Sequence, residues 1–392
     1  MTIEIYAQDG VNVKEGDTFS AFAGKCCRQT YGNSSYVKIH DFSRGHFRGP
    51  RGFEVRHLLP GTCLTVAPDG IGTKVILSDA AGFHVQSGSD VLEMTAGDIT
   101  RWGGLPLVHC NVLDVSSLGE LNDATNNACR ELMQGLMQAC EKNHMVMLCG
   151  ETAELGVCVG SSNPNALVKY NWAGFALGAY HHDKMILGNT LKPGQIIIAL
   201  PEVGFRSNGG STVRIAFELR FGPDWATNEQ AASCLKLAAA PSVHYNAFLT
   251  KAHGWLEADF QPLYNMHLIV HVTGGSFKSK FADDVLFPQG LSAELDDLCD
   301  PPDIMKICAV WRGMSDLDCY KTWNCGQGML VVIDKEDVQS FCSFAGKHGI
   351  QAKVAGKICQ TPSGQDNQVL IKSKFNPSCE LKIVQGKEMV VS

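Results

Sequence analysis

The chain has 392 residues, 45% hydrophobic and 19% charged, with a formal net charge of -7. Such values suit a globular protein of about two ordinary domains and exclude a disordered or fibrous one. The acidic balance argues against a nucleic-acid partner, which needs a basic face to neutralise phosphates, and no apolar run is long enough to span a bilayer.

The sixteen cysteines show no metal-binding spacing. Cys26 and Cys27 are adjacent, Cys319 and Cys325 stand too far apart for a knuckle, and no C-x-x-C occurs. Met1–Glu4 opens with neither a basic nor an apolar leader, which predicts a cytoplasmic protein whose cysteines are reduced thiols, many in the core.

Residues 1–60 are rich in glycine and basic side chains without a clean period, and read as an extended arm with a mobile loop. Arg44, Arg48, Arg51 and Arg56 there suit a small phosphorylated ligand. A short strand at Cys63–Ala67 then meets Asp69-Gly70-Ile71-Gly72-Thr73-Lys74. This run lacks the spacing of a P-loop. Asp69 at a strand end is still a good cation ligand, with Thr73 and Lys74 in reach of phosphate oxygens, although Asp69-Gly70 also makes a plain turn.

Ser87–Trp102 has helical spacing, with Gly103-Gly104 as its stop. Asp98 shares a stripe with Val91, Met94 and Trp102, where a carboxylate is costly unless capped, paired or bound to metal. Leu105–Leu113 reads as a strand and Asn122–Asn143 as an amphipathic helix. Met145–Cys149 is an apolar strand that stops at Gly150 and delivers Glu151, Thr152 and Glu154. Two readings stay open there: a cation site beyond the strand end, or a strand-to-helix turn capped by Thr152.

Trp172–Gly178 closes this domain as a buried strand, and His181–Gly194 is the linker candidate. Domains are expected at 1–182 and 191–392. In the second, the strand Gln195–Leu200 leads to Arg206-Ser207-Asn208-Gly209-Gly210 and a helix, a geometry that presents free backbone N–H groups to anions. The pattern recurs at Thr273-Gly274-Gly275 and, before the strand Met329–Ile333, at Asn324–Gly328. Three such turns fit a shared ligand crevice better than three cases of tight packing. His271 reads as a satisfied core histidine, and Val369–Ile371 and Leu381–Val384 as extra edge strands.

In this order the motifs resemble the phosphoribosylformylglycinamidine cyclo-ligase family, which makes 5-aminoimidazole ribonucleotide (AIR). The matching stretches are Tyr6-x-x-x-Gly10-Val11, Asp69 to Lys74, Asp98 with Gly103 and Pro106, and Gly150 to Glu154. Ala173-Gly174-Phe175, Ser207 to Arg214, Ala240-Pro241-Ser242, Thr273 to Gly275 and Asn324 to Met329 continue the match. The resemblance implies an α/β (α+β) fold: an N-terminal sheet with flanking helices, pairing into a barrel in a homodimer, and a C-terminal mixed-sheet domain.

It also implies Mg2+ and ATP as cofactors, with cyclisation of formylglycinamidine ribonucleotide to AIR in purine biosynthesis. Asp69, Asp98 and Glu151 become the expected metal ligands, and Gly70, Gly72, Thr73, Lys74 and Thr152 the nucleotide's neighbours. Asp69, Asp98 and Arg206 are the expected catalytic residues. Ser207, Asn208, Gly209, Thr273, Gly274 and Gly275 are assigned to the substrate. Gly97, Arg206, Gly210, Ser276 and Leu155-Gly156 depart from the family's pattern. Arg206, where the family has His, binds phosphate strongly but cannot act as a base. These departures keep two other functions open: phosphoryl transfer to a different small molecule, and a non-catalytic nucleotide-binding role.

Overall fold

The computed structural model describes residues 12–43 and 49–391. Tyr6, Gly10, Val11, Arg44 and Arg48 lie outside the described residues. The chain forms two compact units. The first comprises Met1–Ile99, Leu105–His182 and Pro223–Ala247, and the second Thr100–Gly104, Asp183–Gly222 and Phe248–Ser392. The segment Pro223–Ala247 thus belongs with the N-terminal part of the chain.

The first unit runs α1 (Val13–Gln29), β1 (Val37–Asp41), β2 (Arg51–Val55), β3 (Thr62–Gly70), α2 (Lys74–Ala81) and α3 (His84–Thr100). It continues with β4 (Leu105–Val115), α4 (Ala124–Lys142), β5 (Val146–Glu154) and β6 (Tyr170–His181). The expected extended arm is therefore in part a helix. Asn12 caps α1 by accepting the Glu15 N–H, and β1 pairs antiparallel with β2. Glycine and charge along α1 obscured its periodicity.

β3, β6, β4 and β5 form a four-stranded sheet in that order, antiparallel except for the β4–β5 pair. Val91, Leu92 and Ala96 of α3 pack with Leu132, Met133 and Leu136 of α4 against Leu113, Val115, Met147, Trp172 and Ala176 of the strands. Leu64, Val66 and Phe175 are left exposed on β3 and β6. β5 does not stop at Gly150: it continues to Glu154 in parallel register with β4, followed by a short 3-10 turn at Gly156–Cys158. No helix begins at Glu154, whose carboxylate instead accepts the backbone N–H groups of Leu118 and Asn12.

The second unit holds β7 (Ile196–Pro201), α5 (Gly210–Phe221), β8 (Met266–His271), β9 (Leu291–Leu295) and β10 (Gln327–Ile333). β11 (Lys353–Gln360), β12 (Gln368–Lys372), β13 (Glu380–Val384) and β14 (Val390–Val391) complete it. Together they form one mixed eight-stranded sheet ordered β14-β13-β12-β9-β11-β7-β10-β8, in which only β12 and β9 pair in parallel. β7, β8 and β10, neighbours in this sheet, are mostly apolar and buried along nearly their whole length, as strands covered on both faces are. Among the described residues no helix is long and apolar enough to cross a membrane.

Two glycines let α3 and α4 cross with their backbones nearly touching. A Cβ on Gly88 would lie 2.1 Å from the Gly135 carbonyl carbon, and one on Gly135 would lie 1.9 Å from the Val85 carbonyl oxygen. Neither neighbour is a side chain that can swing away. Gly135→Ala is therefore expected to destabilise the protein by about 1–3 kcal/mol or more, despite alanine's better helix propensity. Thermal unfolding checks this; a Gly135→Ala protein melting at or above the parent temperature would contradict the close crossing.

Candidate functional site

The first unit's acids are placed by the sheet's register. Asp69 stands opposite Gly174, Gly174 opposite Asn111, and Asn111 opposite Gly150, one row across all four strands. Strands lie about 4.8 Å apart, so three steps separate Asp69 from the segment carrying Glu151 by about 14 Å. Asp69 and Glu151 occupy opposite edges of the sheet. Asp69, Asp98 and Glu151 do not form a group with ligand atoms within 4.8 Å of one another. The expected three-acid metal site is thus not assembled within one chain, because β3 and β5 are the two edge strands.

Glu151 and Thr152 do line a cavity of about 680 Å³. Asp17, Arg28, Arg51, Asn111 and Cys149 share its wall, whereas Asp69 and Asp98 do not. Asn111 accepts the Trp172 indole N–H at 3.1 Å, yet its own buried amide nitrogen has no hydrogen-bond partner. A buried donor left in this way awaits an acceptor. Gly150 is needed beside it, since a Cβ there would lie 2.5 Å from Asn111 Nδ2. The glycine therefore serves a close approach rather than a strand stop. Asp17, Arg28 and Asn111 carry no motif in sequence; only the packing of α1 beside β5 reveals them.

Lys74 is not presented to a ligand. Only 1% exposed, it donates to Asp90 Oδ1 at 2.8 Å and to the Ala240 carbonyl at 2.6 Å. Asp90 also accepts the Ser242 N–H and hydroxyl. One turn on, Glu93 accepts from the Asn246 amide and meets His244 Nδ1 at 2.8 Å. Asp90 and Glu93 are fully buried, while Asp98, singled out in the sequence, is half-buried. Residues 87–97 of α3 are buried on every face, so Asp90 and Glu93 are enclosed on faces that the apolar stripe through Asp98 does not mark. Gly72 and Thr73, by contrast, are exposed at the start of α2.

In the second unit, three glycine turns converge. A Cβ on Gly209 would lie 2.5 Å from the Trp323 ring, and one on Gly274 would lie 2.7 Å from the Thr322 carbonyl oxygen. Asn324, which opens the third turn, donates to the Gly204 carbonyl. Ser207 Oγ, Asn208 Nδ2 and Trp323 Nε1 are all buried without a hydrogen-bond partner. Three such groups around one turn suit an oxygen-rich ligand. Nothing in the sequence around Trp323 marks it as a site residue; only its packing beside Gly209 does.

Arg206 does not face that opening. Only 1% exposed and held at φ 51°, it donates to Glu202 Oε2 at 2.8 Å and to His271 Nε2 at 3.0 Å. Its charge is matched inside the fold, which corrects the expectation of a catalytic or phosphate-binding arginine. His271 acts as a satisfied core acceptor. Ser276 accepts the Thr273 N–H at 2.7 Å and so closes the second turn.

The position of Lys74 leads to a direct check. Lys74→Met leaves Asp90 buried without its cation and is expected to cost about 3–5 kcal/mol, seen as a lowered melting temperature. An unchanged melting temperature with weakened nucleotide binding would instead identify Lys74 as a phosphate ligand.

Comparison with known proteins covers both units. Residues 55–178 match the family described as AIR synthase related protein, N-terminal domain, and residues 192–366 match its C-terminal domain. The phosphoribosylformylglycinamidine cyclo-ligase of Paraburkholderia phymatum is 28% identical over 93% of this chain and 95% of its own length. That of Alkaliphilus oremlandii is 28% identical over 91% and 97%. Among solved structures, hydrogenase maturation protein HypE in complex with ATP superposes with a TM-score of 0.55 at 12% identity, covering 85% of this chain and 87% of that one. Thiamine-monophosphate kinase from Stenotrophomonas maltophilia gives 0.55 at 11% identity, covering 89% and 95%. With both units matched in order along nearly the whole chain, the protein is a divergent member of the phosphoribosylformylglycinamidine cyclo-ligase (AIR synthase) family.

Proposed function

We propose that the protein is an ATP-dependent cyclo-ligase that converts formylglycinamidine ribonucleotide into AIR, ADP and phosphate. The observation that carries this reading is the match to relatives of that name along 93% of the chain, through both units rather than one. The chemistry agrees with the residues found. The formyl-amide oxygen takes the γ-phosphoryl group, and the neighbouring amine of the same molecule then attacks the activated carbon and expels phosphate. Such a reaction asks the protein for positioning and charge neutralisation.

Two surfaces supply the positioning. The cavity lined by Glu151, Thr152, Arg28 and Arg51 is the proposed nucleotide side. The turn bearing Ser207, Asn208 and Trp323 is the proposed contact for the substrate's phosphate, with Thr273, Gly274 and Gly275 beside it. Mixing the protein with ATP, magnesium and formylglycinamidine ribonucleotide is expected to yield AIR, detected as its diazo dye, with one ADP per AIR. ADP without AIR would point to phosphoryl transfer onto another acceptor, and neither product to a non-catalytic role.

The separation of Asp69 from Glu151 bears on the assembly. Within one chain Asp69, Asp98 and Glu151 stand too far apart to hold a magnesium ion together. A homodimer would change this: exposed Leu64, Val66 and Phe175 suit a second copy, and joining the β3 edge of one sheet to the β5 edge of another brings Asp69 beside a second chain's acid edge. Asp69→Asn and Glu151→Gln should each abolish turnover. Re-associating the two inactive proteins at equal ratio should then restore about a quarter of the parent activity, since half the dimers are mixed and each holds one intact site. No recovery from mixed dimers would mean that the two acids do not act together across subunits.

A further inference from the structure

Cys110 and Cys149 stand directly opposite each other on β4 and β5, with their sulfurs 3.6 Å apart. Both are partly exposed, and Cys149 lines the cavity beside Arg51 and Glu151. We propose that this pair is an oxidant-sensitive dithiol site, taking hydroperoxides as its substrate class and closing to a Cys110–Cys149 disulfide. The assignment does not depend on what else the cavity binds.

Geometry supports closure. Neighbouring strands lie about 4.8 Å apart, inside the roughly 4.4–6.8 Å between α-carbons that a disulfide accepts. The register shift at His109/Cys110 puts the two residues opposite each other. The bond would join residues 39 positions apart while leaving the strands in their existing pairing.

The roles follow from the surroundings. The sulfur–sulfur contact with Cys110, aided by the positive charge of Arg51, lowers the Cys149 thiol below its ordinary value, while the same contact and burial raise Cys110. Cys149 is the attacking thiolate and Cys110 the resolving thiol. Cys27 also lines the cavity, but burial pushes its thiol up to about 12 and keeps it protonated. Cys63 and Cys158 are exposed, yet neither has a partner thiol among the described residues.

The step balances with a hydroperoxide ROOH. The Cys149 thiolate attacks the terminal oxygen; an S–O bond forms, the O–O bond breaks, and ROH leaves with a proton. Cys110 then attacks the Cys149 sulfur and displaces hydroxide, which departs as water with the Cys110 proton. The two sulfurs lose two electrons, and the peroxide oxygens gain them.

The test exposes the full-length protein to stoichiometric hydrogen peroxide, blocks remaining thiols with N-ethylmaleimide, and maps peptides by mass with fragmentation. Fragmentation is required because the tryptic peptides carrying Cys110 and Cys149 also carry Cys129 and Cys158. The expected product is a Cys110–Cys149 cross-link, two hydrogens lighter and reversed by dithiothreitol. Iodoacetamide should label Cys149 in the untreated protein with a midpoint below the ordinary thiol value of about 8.5. Cys110→Ser should leave a dimedone-trappable sulfenic acid at Cys149, and Cys149→Ser should leave Cys110 unoxidised. Faster oxidation of Cys63 or Cys158 with the pair still reduced would overturn the proposal, as would a Cys149 labelling midpoint at or above the ordinary value.

Discussion

The first unit depends on charges held in its interior. Lys74 and Asp90 form a salt bridge shielded almost fully from water, and the Ala240–Ser242 segment adds hydrogen bonds to Lys74 Nζ and Asp90 Oδ1. An isolated buried charge costs several kcal/mol, so such a pair needs close partners, which here gather on Asp90 Oδ1 and leave Oδ2 without a hydrogen bond. That demand explains why Pro223–Ala247 joins a unit formed otherwise by the chain's first half. Glu93, answered by His244 and Asn246, repeats the arrangement one turn along α3. Residues 240–246 thus fasten the central helix by polar contacts where apolar packing alone would not fix its register.

The second constraint is the order of the strands. Residues near each other in sequence motifs are distributed by a sheet whose edges lie three strand spacings apart, and this puts Asp69 and Glu151 on opposite borders. The same order sets Cys110 against Cys149 and Asn111 against Gly150 on the parallel pair β4–β5 at one border of the sheet. One edge therefore gathers an acid, a thiol pair and an unpaired amide beside Arg28 and Arg51, while the other offers the exposed turn Gly72-Thr73.

In the second unit, glycine is what permits assembly. Gly209 and Gly274 each lie where a Cβ would collide with the Thr322–Trp323 segment, so two turns about 65 residues apart in sequence meet on it. Arg206, next to the first turn, is drawn inward by Glu202 and His271, leaving the neutral donors of Ser207, Asn208 and Trp323 around that turn.

The sequence by itself determined much of the architecture. Alternating and continuous apolar runs marked most strands, i, i+4 spacing at Ala128, Leu132, Leu136 and Cys140 marked α4, and the collinear glycine and acid motifs pointed to the family. These signals are local or ordered along the chain, so no folding is needed to see them. Tertiary structure decided where each charge went. Lys74 and Arg206 look in sequence like phosphate ligands, but whether a cation meets a ligand or an internal carboxylate depends on Asp90 and Glu202 being packed against them. Likewise, the partners of Asn111, Trp323 and Cys149 come from other elements, and burial and strand register, which arise only when those elements pack, selected them.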